Sequence, residues 1–398
     1  MAPTDRARPY PFHADDAPPI HEQYARLRRD APMSLVQMPF GDEAWLATRY
    51  ADVKCVHSDP RFSRASASGH DQPRAFPVMP EENILGMDPP DHNRLRRLVS
   101  RVFTARRVRL MRPLIQRLTD DLLDRMAAQG PPSDLVGDFS VPLTIGVIAD
   151  LFGVPEADRT QFAQWSQAMT ATSSMPPEVA QEHVRQLQEY VAELFNQRLS
   201  SPTDDLIGAL IEGYQADSRV DEHEVITLAR LMLATGHGSV SYQLAHCSYL
   251  LLSHPAQLAR LAKEPGLINV AVEELLRYAK TDEAAVFARY ATQDVRVGDF
   301  VVKAGEAVLP SRISANHDET VFTDPEVLDL ARARNPHLAF GHGPHHCPGA
   351  HLARAELQIA IGSLVSRFPT LRLAVEPKDL TWESGGLARE ISALPVVW

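Results

Sequence analysis

A chain of 398 residues with 44% hydrophobic residues can bury a large core, and its net charge of −11 weighs against nucleic acid as a partner. Its three cysteines, Cys55, Cys247 and Cys347, are too few and too scattered for a disulfide framework. No apolar run approaches the roughly twenty residues a transmembrane helix needs, and no charged-then-apolar leader is visible, so the expectation is a cytoplasmic protein with no membrane partner.

Proline-rich residues 1 to 20 predict an irregular arm, followed by a strand-like run at 33 to 48. Helical apolar spacing then marks 92 to 127, 139 to 151, 178 to 199, 221 to 254, 266 to 279 and 349 to 367. Further strand-like runs fall at 293 to 309 and 371 to 397. No internal repeat and no low-complexity stretch interrupts this order. Helix dominates, with a minor β component, although length alone would favour two or three domains.

Near the end the chain reads Phe340-Gly341-His342-Gly343-Pro344-His345-His346-Cys347-Pro348-Gly349-Ala350. Three glycines and two prolines rule out helix here, and the helical pattern beginning at 349 places Cys347 at a helix N-terminus, where the dipole favours a thiolate. Such a thiolate is a metal ligand or a nucleophile. A buried structural cysteine is the ordinary alternative, but it leaves the rigid loop unexplained. A zinc site would draw on His342, His345, His346, Cys347 and His351, yet no second Cys/His pair has finger-like spacing. Haem iron with an axial cysteine is the third reading.

This stretch resembles the haem-binding loop of the cytochrome P-450 family, whose pattern FxxGxHxCxG is met at Phe340, Gly343, His345, Cys347 and Gly349. The other pieces follow in the family's order. Glu274 and Arg277 match its ExxR pair, which the resemblance makes structural, buried against the meander represented by ARARNPHLAF. Asp88-Pro89-Pro90-Asp91-His92 resembles the start of its C helix. By resemblance, His92, Arg96, Arg289 and His345 hold the propionates of haem b (iron protoporphyrin IX), with Cys347 on the metal.

The resemblance implies a cytochrome P-450 fold, mainly α with a small β-rich lobe, as one domain over residues 1–398, and a monomer. It also implies a small-molecule substrate, O2, and electrons from a separate ferredoxin and ferredoxin reductase. The arginine-rich residues 94 to 117 would then offer a positive face to an acidic redox partner.

Leu231 to Val240 resembles the family's I helix, usually written AGxET or AGxDT. Aligned through Gly236, Gly238 stands where the carboxylate is expected and Ser239 where threonine is, so one proton route is missing. Two glycines in mid-helix cost about 1 kcal/mol each relative to alanine, which fits a helix that opens or lets a ligand approach. His237 is a candidate proton relay, and Gly236, His237, Gly238 and Ser239 form the candidate catalytic set.

ATGHGSVS is also similar to members that couple two aromatic molecules, such as tryptophan-containing cyclic dipeptides. That similarity favours oxidative C–C or C–N coupling, with regioselective hydroxylation as the alternative and a haem sensor as a remote third. Pocket segments implied by the family carry small residues, Ala65, Gly86, Ala234, Thr235, Ala284, Ala285 and Ala288, together with Leu387, and predict a roomy pocket.

Overall fold

Alternating side chains along Met33–Gln37 and Ala44–Ala47 build an antiparallel pair in which Ser34 faces Leu46 and Leu35 faces Trp45. The structure is a computed structural model that describes residues 7–12, 20–75, 83–168, 175–279, 287–383 and 390–398. Within it the chain forms two compact units. The first comprises Met1–Asp91, Glu273–Cys347 and Leu387–Arg389, and the second His92–Val272, Pro348–Gly386 and Glu390–Trp398.

The first unit is organised by a six-stranded sheet in the spatial order Arg8–Pro9, Met33–Gln37, Ala44–Ala47, Ala307–Pro310, Arg289–Ala291, Phe62–Ser63. Side-chain alternation divides its apolar residues between two faces. Leu46, Leu309 and Tyr290 join one buried cluster, while Ala47, Val308 and Ala291 join another with Val53 and Val56. Val53 and Val56 belong to the helix Tyr50–Ser58, which the sequence does not predict.

The second unit is helical. The helix Glu222–Ser253 runs unbroken for 32 residues and begins with a capping box: Asp221 accepts from the Glu224 N–H, and Glu224 reaches back to the Asp221 N–H. Around it lie Val141–Leu151, Pro177–Ser200, Leu206–Ala216 and Ala350–Arg367. Two small sheets in this unit pair Arg372–Leu373 and Ser133–Asp134 with Pro395–Val397, and Trp382–Glu383 with Glu390–Ile391.

Local chemistry moved several predicted boundaries. The helical run predicted at 92 to 127 is two helices, Asp91–Val102 and Ala105–Gln129, because the Thr104 hydroxyl caps the second by accepting from the Arg107 N–H at 3.3 Å. Pro89 and Pro90 precede the first of these helices and are not part of its first turn. Cys347 likewise stands ahead of the helix Ala350–Arg367, whose N-cap is Gly349, and not at its first residue.

In the first unit, Glu274 and Arg277 on the helix Ile268–Tyr278 are wholly buried and joined by two 2.8 Å hydrogen bonds. Arg277 also donates to the carbonyls of Asn316 and Pro325, both at 2.9 Å. The Glu274 carboxylate accepts in addition from Arg332 Nε at 2.9 Å, Asn335 Nδ2 at 3.1 Å and the Asp329 N–H at 3.1 Å. Removing one partner of a buried pair strands the other charge, so Arg277→Leu should lower the unfolding free energy by about 3–5 kcal/mol, read as a shift of the denaturant midpoint. Arg277→Lys, which cannot supply the same set of donors, should lose most of that amount. A loss of under about 1 kcal/mol, as for a surface pair, would show that the network adds little.

Candidate active site

The loop that carries Cys347 is shaped by two glycines at positive φ, Gly341 at 74° and Gly343 at 71°. Hydrogen bonds from Gly341 N to Leu338 O, from His346 N to Gly343 O and from Cys347 N to Phe340 O fold it back on itself, at 2.8, 3.0 and 2.9 Å. A Cβ on Gly343 would lie 2.5 Å from the His57 carbonyl oxygen, so the helix Tyr50–Ser58 fixes the position of this turn. Cys347 is half-buried and forms no disulfide.

Around this loop the first unit buries positive charge. Arg289 is 3% exposed and Arg64 8% exposed, and neither guanidinium has a hydrogen-bond or ion-pair partner among the described residues. Burial and then Arg312 lower the pKa of Arg289 to about 10. Both ring nitrogens of His57 are buried without a hydrogen-bond partner among the described residues. Burial, followed by the charges of Arg289, Arg312, His342 and Arg64, holds His57 well below the usual histidine range, so it is neutral at pH 7.

A buried guanidinium without a counter-ion is costly unless an anion meets it. Arg289 and the His57 ring therefore fit an anionic group such as the propionates of haem b, and the donor set includes the Cys347 thiol for its iron. Among the described residues no group of three or more His, Cys, Asp and Glu is arranged to hold a metal ion, so the zinc reading finds no ligand set.

On the second unit, His92 is 2% exposed and Arg96 lies one turn along the same helix. The helix Glu222–Ser253 passes through Gly236 and Gly238 without opening. Ile148 Cδ1 lies 3.0 Å from where a Cβ on Gly236 would sit, so close helix packing accounts for this glycine. Thr235 and Ser239 lie on one exposed face, where each hydroxyl donates back to the carbonyl four residues earlier, at 2.8 Å to Leu231 and 2.5 Å to Thr235. Their lone pairs are left to accept.

His237 points the other way. It is 2% exposed, and its Nε2 donates to the Ser166 carbonyl at 2.9 Å. Burial lowers its pKa, so the geometry makes it a neutral structural tie and not a relay on the face of Ser239.

The predicted pocket residues do not share one environment. Ala65 and Gly86 are exposed, Ala234 is half-buried, and Ala288 is packed into the apolar cluster with Ala67 and Tyr290. Ala284, Ala285 and Leu387 lie outside the described residues.

Three features escaped the sequence. Arg64 and His57 become notable only through long-range pairing. Glu356 had a local signal: it falls four residues after Leu352 on the buried stripe of the helix Ala350–Arg367, and a carboxylate on an apolar stripe is anomalous. It is 3% exposed, has no hydrogen-bond partner among the described residues, and burial raises its pKa to about 8.

With this geometry established, the comparisons with known proteins give the class. The chain belongs to the cytochrome P450 family: the family model described as Cytochrome P450 matches residues 46–392. It is 46% identical over 400 residues to the nocardicin C N-oxygenase of Nocardia uniformis subsp. tsuyamanensis, covering all of both chains. It is 42% identical to the mycinamicin IV hydroxylase/epoxidase of Micromonospora griseorubida, covering 98% of each. A solved structure of the mixed-function P450 MycG F286V mutant in complex with mycinamicin V superposes with a TM-score of 0.94 at 42% identity, covering 99% of this chain and all of that one. The chain is thus a haem-thiolate oxidoreductase whose cofactor is haem b, in the P450 fold that the sequence implied. The coupling expectation gains no support from these relatives, whose named reactions add oxygen. Among the described residues no helix is long and apolar enough to cross a membrane.

Two measurements follow from the site. Gly343→Ala should displace the cysteine loop and lower the haem content of purified protein while the helical circular dichroism is kept. Full haem retention would mean that His57 yields to the added methyl.

Glutamate titrates near 4.3 in an unfolded chain, whereas Glu356 is raised to about 8. Between these values the unfolded chain releases a proton that the folded chain keeps, so stability falls as pH rises from about 4 to 8. Glu356→Gln should therefore raise the melting temperature more at pH 8 than at pH 5. An equal effect at both would show that the carboxyl ionises normally in the fold.

Proposed function

We propose that this chain inserts one oxygen atom of O2 into a small natural product, as a regioselective monooxygenase of bacterial secondary metabolism, with electrons from a separate ferredoxin and ferredoxin reductase. The observation that carries the choice of oxygenation over coupling is the full-length similarity to two proteins named as an N-oxygenase and a hydroxylase/epoxidase. Bound haem with a cysteine thiolate supplies the chemistry of O–O cleavage.

The chain's own residues take the remaining roles. Cys347 is the iron ligand, held by the 340–347 turn; His92, Arg96, Arg289 and His345 are the propionate partners that the family pattern assigns. Phe340 and Gly349 shape the loop. Ser239 offers a hydroxyl that accepts a hydrogen bond, because its own proton is committed to the Thr235 carbonyl. That hydroxyl can hold a water, and with Gly238 in place of a carboxylate, the water or a substrate group supplies the protons. Turnover under labelled dioxygen tests the reading: mass spectrometry should find one labelled oxygen per product. Unlabelled products of nearly twice the substrate mass would return the assignment to coupling.

The electron donor is read from the second unit's surface. Arg94 is engaged by a bidentate contact to Glu224 at 2.7 and 2.5 Å, and Arg107 pairs with Asp204. Arg97, Arg101, Arg106, Arg109, Arg112 and Arg117 are exposed, and Leu110 among them is 69% exposed. Exposed arginines around an apolar residue suit an acidic redox protein. Reduction by a ferredoxin should slow as salt rises, since charges beyond about 10 Å are screened at 0.1 M. Arg97→Glu with Arg101→Glu should raise the apparent KM for ferredoxin. A rate indifferent to salt and to both reversals would remove this surface from consideration.

A further inference from the structure

The strand Phe62–Ser63 pairs antiparallel with Arg289–Ala291, Phe62 opposite Ala291 and Ser63 opposite Tyr290. Arg64 follows that strand directly, with its own backbone in the helical region at φ −89° and ψ −37°, and Arg289 opens the partner strand. Burial and then the charge of Arg289 lower the pKa of Arg64, and two buried cations near one another are destabilising on their own. The family's propionate pattern, His92, Arg96, Arg289 and His345, already uses Arg289 and does not include Arg64.

The described neighbours of Arg64 fix its backbone and offer its guanidinium no hydrogen bond or ion pair. Asp88 accepts from the Ser63 hydroxyl at 2.5 Å, from the Arg64 N–H at 2.9 Å and from the Ala65 N–H at 3.3 Å. Its carboxylate thus fixes where residues 63 to 65 turn, and no ion pair joins it to the Arg64 side chain. The guanidinium instead lies over the Phe287 ring, its carbon 4.4 Å from the ring centroid. A planar cation stacked on one face keeps its in-plane N–H fork available. Burial, then Arg289, with Arg312 as a smaller contributor, lowers the pKa of Arg64 well below its usual value, and Asp88 opposes them. Guanidinium does not deprotonate in proteins, so this penalty is one that a bound anion would relieve.

We propose that Arg64, stacked on Phe287 and without an ion-pair partner among the described residues, is a specificity-determining residue that binds a carboxylate of the substrate, so that the molecule oxidised by this enzyme is an organic acid. The inference rests on the monooxygenase reading for the existence of a substrate site. The anion class follows from the fork, which meets two carboxylate oxygens in parallel.

The test uses the haem-loaded protein and equilibrium binding, with no turnover. Benzoate, phenylacetate, indole-3-acetate and hexanoate are each titrated beside the corresponding primary amide, and displacement of the Soret band is read. For those that bind, wild type should favour the acid by about tenfold or more, the worth of a charged hydrogen bond. Arg64→Gln should abolish that preference, and Arg64→Lys should keep part of it. Both variants should retain wild-type haem content and the wild-type spectrum of the reduced carbon monoxide complex.

Failure of every acid to bind better than its amide would overturn the proposal, as would a preference that survives in Arg64→Gln. Loss of haem in Arg64→Gln would overturn it in favour of a propionate role. If wild type itself takes up no haem with a thiolate spectrum, the monooxygenase reading fails first, and the two failures are thereby told apart.

Discussion

A single buried carboxylate, that of Glu274, accepts from two guanidinium groups, an amide side chain and a backbone N–H. Desolvating that charge is tolerable only because its acceptor sites are filled, and the donors beyond Arg277 come from residues 329 to 335. Those residues lead directly into the turn from Leu338 to Cys347. The position of the cysteine loop therefore depends on an ion cluster that takes no part in the chemistry. Gly343 provides the other fixed point, where only the absence of a side chain lets the loop approach His57. An irregular stretch, with no strand or long helix of its own to steady it, is thus held at both ends.

The sequence made legible those features that repeat or that use a fixed spacing. The helix Glu222–Ser253 was predicted to within a residue because its apolar pattern is long. The cysteine loop was legible because glycine and proline mark backbone geometry directly. The break at Thr104 was not, since the apolar period continues through it and only the cap separates the two helices. Helices Ile20–Asp30, Tyr50–Ser58 and Leu206–Ala216 were missed, being short or, in the last case, buried nearly all round.

Within the site, a different limit applied. The motif Gly236-His237-Gly238-Ser239 specifies residue types but not which face of the helix looks where, and His237 turned inward to Ser166. The burial of Arg64 near Arg289 depends on the pairing of strands more than two hundred positions apart, and no local pattern encodes such a register. Whole-chain similarity to an N-oxygenase and a hydroxylase/epoxidase weighs for oxygenation, whereas the coupling expectation rested on the eight residues of ATGHGSVS alone.

The uncompensated positive charge in the first unit also bears on how the protein is made. Arg289 has no hydrogen-bond or ion-pair partner among the described residues, and Arg312 adds to the burial that lowers its pKa, so its charge stands uncompensated until a counter-ion arrives. A dianionic cofactor binds the folded chain and not the unfolded one, so mass action ties the folded population to the amount of cofactor in the cell. Cofactor supply then acts as a checkpoint on biosynthesis: chains made in excess of it carry an electrostatic debit in this unit and are the ones first exposed to proteolysis.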